Sequence, residues 1–169
     1  MSILRFQQLT LADFDAAYTL VVASVMWLHH QHLPSWLMPK AVYYQRHVAG
    51  DNYGLFENTT LCAVVTLTTY HPNDWKQVIS HQDFTWLATL ASLRTQSRNQ
   101  YGLRLMQFAE DHTLSEHKLA IYLDCYYGNG RLPQYYQQLG YEWLARKELV
   151  FEDGSTHDTV LMRKVLTSR

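Results

Sequence analysis

The first fifty residues predict one strand followed by two helices. Residues 3–9 alternate between apolar and polar side chains, as a half-buried strand does. Thr10 and Asp13 then have the spacing of a capping box, and apolar residues follow at helical intervals as far as His30. Two prolines separate this helix from a shorter one that stops at Gly50.

The middle of the chain predicts three strands, a helix and a fourth strand. Residues 52–70 form two strands around a polar turn at 57–60, and the apolar run 84–93 forms the third. Apolar residues three or four apart predict a helix within 99–117. The apolar segment 118–126 follows as the next strand.

The last part predicts a short helix within 129–142, then a strand at 141–151 and a hairpin turn at Asp153-Gly154 into 156–166. The order is therefore βααβββαβαββ. The central strand–helix–strand unit implies one right-handed parallel crossover in a mostly antiparallel sheet. We expect an α+β fold with helices on both faces.

Composition limits the classes of function. A chain of 169 residues predicts one domain, 1–169, and 47% hydrophobic with 17% charged residues is typical of a soluble globular protein. The net charge of −1 does not provide the excess of positive charge that is typical of nucleic-acid-binding proteins. The longest apolar run, residues 20–28, is far too short to span a bilayer, and the N-terminus has no signal-peptide layout. Cys62 and Cys125 lie in strand-like runs and predict reduced core residues, so a cytoplasmic location is expected.

The loop after the strand at 84–93 predicts an anion site. A helix begins at or just before Gly102, so its first N–H groups and its dipole favour a negative group. Arg94 and Arg98 add positive charge nearby. A phosphate or pyrophosphate is the natural ligand, and an ordinary loop with solvated arginines is the alternative.

A second motif carries a family resemblance. After the strand at 118–126 come Asn129, Tyr136, Gly140 and Tyr141, in the spacing Asn-x6-Tyr-x3-Gly-aromatic. With this motif the chain resembles the GNAT family of acetyl-coenzyme A dependent N-acetyltransferases. The resemblance implies the GNAT-like fold and acetyl-CoA as co-substrate, with no metal.

The coenzyme loop of that family, Arg/Gln-x-x-Gly-x-Gly/Ala, is matched only in part by residues 97–102. Ser97 stands for the Arg/Gln, Gln100 for the first glycine and Gly102 for the last. Because a backbone N–H donates without needing glycine, we expect the cradle to survive if Gln100 avoids positive φ. The implied coenzyme contacts are Leu90, Ala91, Ser92, Ser97, Arg98, Asn99, Gln100, Tyr101, Gly102, Leu103 and Asn129.

The resemblance assigns Tyr136 as the general acid that protonates the leaving thiolate. A phenol of pKa ~10 is protonated at neutral pH, above a thiol at ~8.5. A half-buried tyrosine with a backbone partner is the alternative for Tyr136. Tyr135 points elsewhere on the helix and is predicted to pack in the core. Asn129 is interpreted as a turn residue, as a contact to the pantetheine arm, or as both.

The general base is left open by the sequence. Asp83 and Glu57 are options acting through water, although each is also typical of a solvated carboxylate at a strand end or turn. His81 is a further option. The histidines within 29–32 lack a matching second ligand pair, so no metal site is predicted. The resemblance implies an acceptor wall formed by the first two helices and their connection, with Trp27, His30, Trp36 and Tyr44 as candidates, and Asp83 is a further candidate for contact with the acceptor.

The sequence thus predicts an N-acetyltransferase in which a primary amine attacks the thioester of acetyl-CoA directly. An aromatic wall suits a cationic or amphipathic small amine, and a peptide N-terminus or lysine stays open as acceptor. A non-catalytic acyl-CoA-binding or regulatory domain is the first alternative, and an interaction module is the second. A homodimer is left open.

Overall fold

A computed structural model describes residues 2–95 and 99–167 and confirms the predicted order of elements. Ser97 and Arg98, two of the predicted coenzyme contacts, lie outside the described residues. The strands are β1 (Leu4–Gln8), β2 (Asn52–Glu57), β3 (Thr60–Thr68), β4 (Phe84–Ser92), β5 (Ala120–Tyr126), β6 (Glu142–Val150) and β7 (Thr156–Val165), and the helices are α1 (Phe14–His30), α2 (Lys40–Val48), α3 (Tyr101–Ser115) and α4 (Arg131–Gln138).

The seven strands form one sheet in the order β1-β2-β3-β4-β5-β7-β6. Each neighbouring pair is antiparallel except β4 and β5, which are parallel and joined through α3. The parallel pair results from the crossover, because a helix between two strands returns the chain to the same end of the sheet. The α+β class predicted from the sequence is confirmed.

β4 and β5 separate soon after they meet. Their pairing runs only from Phe84↔Ala120 to Trp86↔Tyr122, although both strands continue beyond it. Next to the separation, β4 contains a bulge at Thr89, whose φ of 52° lies in the left-handed region. An extra residue bends the bulged strand, so the gap between β4 and β5 widens toward their C-terminal ends.

Helices cover both faces of the sheet, as predicted. Successive side chains of β3 point to opposite faces, since Val64 belongs to the cluster with α1 and α2 while Val65 belongs to the cluster with α3 and α4. The polar segment 71–83 is anchored by Trp75, which is fully buried in a third cluster beside Tyr122. This anchor places the segment next to the gap.

The start of α1 follows the predicted capping box. The backbone N–H of Thr10 donates to Asp13 Oδ2 at 2.8 Å, and a short 3-10 turn, Leu11–Asp13, leads into α1. The helical segment Leu11–His30 has a mean hydropathy of 1.4, so by length and composition alone it could cross a membrane, contrary to the expectation from the short apolar run at 20–28. In this fold its buried side chains pack on the sheet.

Candidate functional site

The gap between β4 and β5 opens into a cavity of about 350 Å³. Residues 86–91 of β4 and 123–126 of β5 form two of its walls. α1 and the segments around it close the remaining sides with mainly apolar residues. These are Val21, Val25, Leu28, Trp36, Met38, Pro72, Leu132 and Phe151.

A second cavity of about 360 Å³ adjoins the first. Both are lined by Leu28, Tyr126 and Leu132. The second lies beside the N-terminus of α4 and has a more aromatic lining. We call them the gap cavity and the α4 cavity.

Tyr136 lines the gap cavity and is 6% exposed. Its ring packs edge-on against Tyr135, with 5.3 Å between ring centroids, and against Tyr141 at 5.8 Å. Its hydroxyl has no hydrogen-bond partner among the described residues. Burial, followed by the nearby Cys125 thiol, raises the pKa of Tyr136 well above its ordinary value. The phenol therefore stays protonated at neutral pH.

Asp124, on β5, lines the same cavity. Its Oδ2 accepts a hydrogen bond of 2.9 Å from Trp75 Nε1, which fixes the carboxylate. Burial raises the pKa of Asp124 to about 6, and the Trp75 hydrogen bond opposes that shift only in part. The sequence analysis missed this residue. An acid in an otherwise apolar strand was the signal that could have found it.

The predicted coenzyme residues of β4 lie at the gap. Leu90 and Ala91 line the gap cavity, and Ser92 is the last residue of the strand. A Cβ at Gly102 would have Ser92 Oγ as its nearest neighbour, at 3.9 Å. The first turn of α3 thus lies beside the end of β4 and has open space in front of Gly102. Leu103 follows in the same turn.

Gln100 adopts a left-handed conformation with φ 50° and ψ 39°. The condition under which the cradle was expected to survive, a Gln100 that avoids positive φ, is therefore not met. The physical reason is that the turn into α3 needs this geometry, which a glycine adopts without a Cβ clash. Gln100 keeps the geometry at the cost of local strain.

Tyr101 and Asn99 connect the start of α3 to the sheet. Tyr101 is 3% exposed, and its hydroxyl donates to Glu57 Oε2 while accepting from Asn99 Nδ2 at 2.7 Å. The Tyr101 hydrogen bond is also the main cause that lowers the pKa of Glu57. Glu57 lines neither cavity, so its position gives it a structural contact rather than access to an acceptor.

Asn129 lies at the turn before α4, where its Oδ1 accepts the backbone N–H of Arg131 at 3.1 Å. It also lines the α4 cavity, together with Tyr135. This hydrogen bond supports the interpretation of Asn129 as a turn residue. Tyr135, predicted to pack in the core, packs only at the core edge and faces this cavity.

The expected acceptor wall divides into two groups. Trp36 lines the gap cavity, and Trp27 lines the α4 cavity with the Arg94 guanidinium 4.2 Å from its ring centroid. His30 and Tyr44 line neither cavity, because both lie on outer helix surfaces. Asp83 is exposed and precedes β4 at the end away from the gap, so its placement does not support a contact to the acceptor.

The described residues contain no group of three His, Cys, Asp or Glu side chains that could hold a metal ion. His81 instead contacts the Tyr122 hydroxyl through Nδ1 at 2.8 Å. Cys62 and Cys125 are free and buried, as the sequence predicted for core residues. Among the described residues that line the gap cavity, Asp124 is the carboxylate, and Cys125, Tyr126 and Tyr136 are the other groups with a weakly acidic proton.

Sequence comparison identifies the family. Residues 22–141 match the acetyltransferase (GNAT) family, which is well over half of the chain. The chain belongs to the GNAT family. This confirms the resemblance read from the motif that ends at Tyr141. No curated protein matches the sequence of this GNAT chain.

Solved structures show the same fold at low sequence identity. A GNAT acetyltransferase of Listeria monocytogenes matches with a TM-score of 0.78 and 18% identity, over 98% of this chain and 100% of that one. The ribosomal-protein-S18-alanine N-acetyltransferase of Escherichia coli matches with a TM-score of 0.71 and 16% identity, over 99% of this chain and 96% of that one. The PaiA N-acetyltransferase of Thermoplasma acidophilum, in complex with coenzyme A, matches with a TM-score of 0.68 and 15% identity, over 97% of this chain and 99% of that one.

Proposed function

We propose that this GNAT protein transfers an acetyl group from acetyl-CoA to a primary amine in the gap cavity. One observation carries the proposal: Asp124 and Tyr136 face the same cavity where β4 and β5 separate. The pKa of the acid is raised toward neutrality, and the phenol is fully protonated. Groups with separated pKa values in one site are typical of paired base and acid catalysts.

The residues present fit acetyl-CoA. The first turn of α3 has N–H groups without intrahelical acceptors, at Gly102 and Leu103, and open space at Gly102 admits a pyrophosphate. The gap itself offers apolar walls at Leu90 and Ala91 for a pantetheine arm. Acetyl-CoA would supply the acyl group as a thioester.

Asp124 is proposed as the general base. An amine must lose a proton to form an amide, and a carboxylate with a pKa of about 6 is mostly ionised at pH 7. The Trp75 hydrogen bond occupies Oδ2 and leaves Oδ1 to accept that proton. A base of this kind needs no water relay from Asp83 or Glu57.

Tyr136 is proposed as the general acid. Its hydroxyl has no other partner among the described residues and so is available to donate a proton to the leaving sulfur. The contacts with Tyr135 and Tyr141 hold the ring in place, which limits the cost of orienting the hydroxyl.

A non-catalytic acyl-CoA-binding domain is the second proposal, and the observation that favours it is the strained Gln100 at a glycine position of the coenzyme loop. The Asp124–Tyr136 pair argues against it, because binding alone does not need a buried acid. A cytoplasmic location is proposed from the free cysteines.

The test has two arms. Titration calorimetry with acetyl-CoA shows whether the protein binds the coenzyme. A screen of primary amines that follows free-thiol release then separates catalysis from binding. We expect saturable binding and at least one amine that accelerates thiol release well above hydrolysis. Binding without any amine-dependent release would establish the non-catalytic alternative.

A further inference from the structure

The wall of the gap cavity contains a guanidinium with one buried N–H group that has no partner among the described residues. Arg46, on α2, lines the cavity, and its Nη1 is buried without a hydrogen bond. No Asp or Glu carboxylate among the described residues lies within 4.0 Å of its guanidinium. Arg46 as a whole is only partly buried, so the cost falls on the buried Nη1, and a buried N–H group in a native protein usually has an acceptor.

The surroundings do not neutralise this guanidinium. Burial lowers the pKa of Arg46, and Asp51 and Tyr70 oppose that shift only through longer-range attraction. Arginine stays protonated in proteins under all ordinary conditions. The charge therefore remains in the wall of the cavity.

Ser24 adds a second unpartnered polar group to the same cavity. It lies on α1, is 8% exposed, and its Oγ is buried without a hydrogen bond. A hydroxyl can donate to an anion beside a guanidinium, which offers several further N–H donors in a planar fork. Together Arg46 and Ser24 have the donors that a carboxylate accepts.

We infer that Arg46 and Ser24 bind a carboxylate of the acceptor, so that the acceptor is a small amino acid. This inference rests on the proposed function, because it places the carboxylate end of the same acceptor whose amine is proposed to face Asp124. The guanidinium is not at the coenzyme phosphates, since α2 packs on one face of the sheet and α3 packs on the other.

The space between the two ends supports a small acceptor. Trp36, Trp86 and Val21 line the cavity together with the polar groups and suit a short methylene chain. The cavity of about 350 Å³ is at the lower end for ligand pockets, and the acceptor would share it with the proposed pantetheine arm, so it suits a free amino acid better than a folded protein segment.

The experiment compares matched acceptors. Thiol release from acetyl-CoA is measured with β-alanine, 4-aminobutanoate and a set of L-amino acids, each against its own carboxamide. For the parent protein we expect kcat/KM to favour at least one carboxylate over its carboxamide by on the order of tenfold or more. Equal values for acids and amides across the panel overturn the inference, while the proposed function stands.

Variants assign the preference to the side chains. Arg46→Gln should abolish the preference and Ser24→Ala should reduce it, with the KM for acetyl-CoA unchanged. Arg5→Gln, on β1 outside both cavities, is the matched control and should retain it. If Arg46→Gln retains the preference, the inference is overturned. If that variant does not fold by circular dichroism, Ser24→Ala and the selectivity of the parent decide.

A binding measurement separates the two levels of the argument. Each carboxylate of the panel is titrated into the coenzyme-free protein, and binding is followed by tryptophan fluorescence because Trp36 and Trp86 line the cavity. Saturation for the parent but not for Arg46→Gln supports a carboxylate site at Arg46 even if no amine is acetylated, in which case the proposed acetyl transfer fails and the carboxylate site stands. Turnover of acidic peptides with no turnover of free amino acids overturns the small-acceptor assignment.

Discussion

Asp124 changes its acidity because of where the fold puts it. Burial in the wall of the gap cavity raises its pKa from 3.8 to about 6, against the hydrogen bond from Trp75. A carboxylate in that range can accept a proton from an ammonium group and release it to water at neutral pH. The raised pKa of Asp124 suits a general base at neutral pH, but it lowers the free energy of unfolding at that pH.

The first prediction concerns activity. Asp124→Asn keeps the shape and can still accept the Trp75 hydrogen bond, so the fold should persist. It removes the proposed base, and kcat/KM for the amine should fall by ~10²–10⁴. The parent should gain activity with rising pH through an apparent pKa near 6, and the variant should lose that step. A variant with parental activity would exclude Asp124 as the base.

The second prediction concerns stability. The folded state binds the Asp124 proton more tightly than the unfolded state, so this group lowers the free energy of unfolding as pH rises from about 4 to about 6. Asp124→Asn should therefore be more stable than the parent at pH 7, by on the order of 2 kcal/mol, and similar to it below pH 4. Urea unfolding of both proteins across this range measures the difference. A constant difference at all pH values would contradict the raised pKa.

Tyr136 and Tyr135 form an internal test of the acid. Tyr136→Phe removes a hydroxyl that has no partner among the described residues, so stability should change little. Its kcat should fall by ~10²–10⁴ with the KM for acetyl-CoA nearly unchanged, because the proton is needed only as charge develops on sulfur. Tyr135→Phe, which faces the α4 cavity, should cost far less. Equal activities of Tyr136→Phe and parent would mean that another group protonates the sulfur.

At the level of elements, the turn into α3 is held in an unfavourable conformation. The left-handed φ of 50° at Gln100 destabilises the folded state by about 1–2 kcal/mol for a residue with a Cβ. A glycine would remove this strain, but it loses more backbone entropy on folding, so the net gain in stability is smaller. Gln100→Gly should stabilise the protein by up to ~1 kcal/mol and tighten acetyl-CoA binding. Thermal unfolding and calorimetry measure both effects.

Gln100→Ala is the control for that change, because alanine keeps the Cβ that causes the strain. It should give neither the gain in stability nor the tighter binding. Equal effects of glycine and alanine would place the cause in the lost amide side chain.

The first turn of α3 carries a prediction about space. A side chain at Gly102 would meet no protein atom closer than Ser92 Oγ, so Gly102→Val should fold. The added methyl groups would occupy the proposed pyrophosphate position, and acetyl-CoA should bind more weakly in a titration. Gly102→Ala should have a smaller effect in the same direction. Parental affinity in the valine variant would remove the pyrophosphate assignment.

At the level of the whole molecule, the sheet consists of two parts joined by a short parallel contact. β4 and β5 pair at three residue pairs before they separate, and the antiparallel strands on each side pair over longer stretches. A ligand in the gap touches both parts and binds only the folded state. At 100 times its Kd such a ligand adds ~2.7 kcal/mol to the free energy of unfolding.

We therefore expect saturating acetyl-CoA to raise Tm by roughly 5 °C or more, as followed by circular dichroism. Gly102→Val should show a smaller shift at the same concentration. An unchanged Tm in the parent at saturating coenzyme would contradict binding in the gap.

Local features of this chain were accessible from sequence. The capping box at Thr10, the helix stop at Gly50 and the turn at Asp153-Gly154 are defined by neighbours a few residues apart, and each element they delimit is present. The motif from Asn129 to Tyr141 is equally local, and it led to the family. Such signals are readable because backbone geometry and short-range hydrogen bonds depend on adjacent residues.

The site depends on contacts between distant segments. Asp124 obtains its pKa from a cavity closed by α1 and by the segment 71–83, and its hydrogen-bond partner Trp75 lies 49 residues away. Arg46 Nη1 lacks an acceptor where α2 packs, since no carboxylate of the described residues lies within 4.0 Å of the guanidinium. The positive φ of Gln100 follows from joining α3 to the sheet. Burial and dielectric are properties of the assembled molecule, so the sequence predicted the fold and pointed to Tyr136 as the proposed acid, whereas the proposed base and the cavity linings became visible only in the tertiary structure.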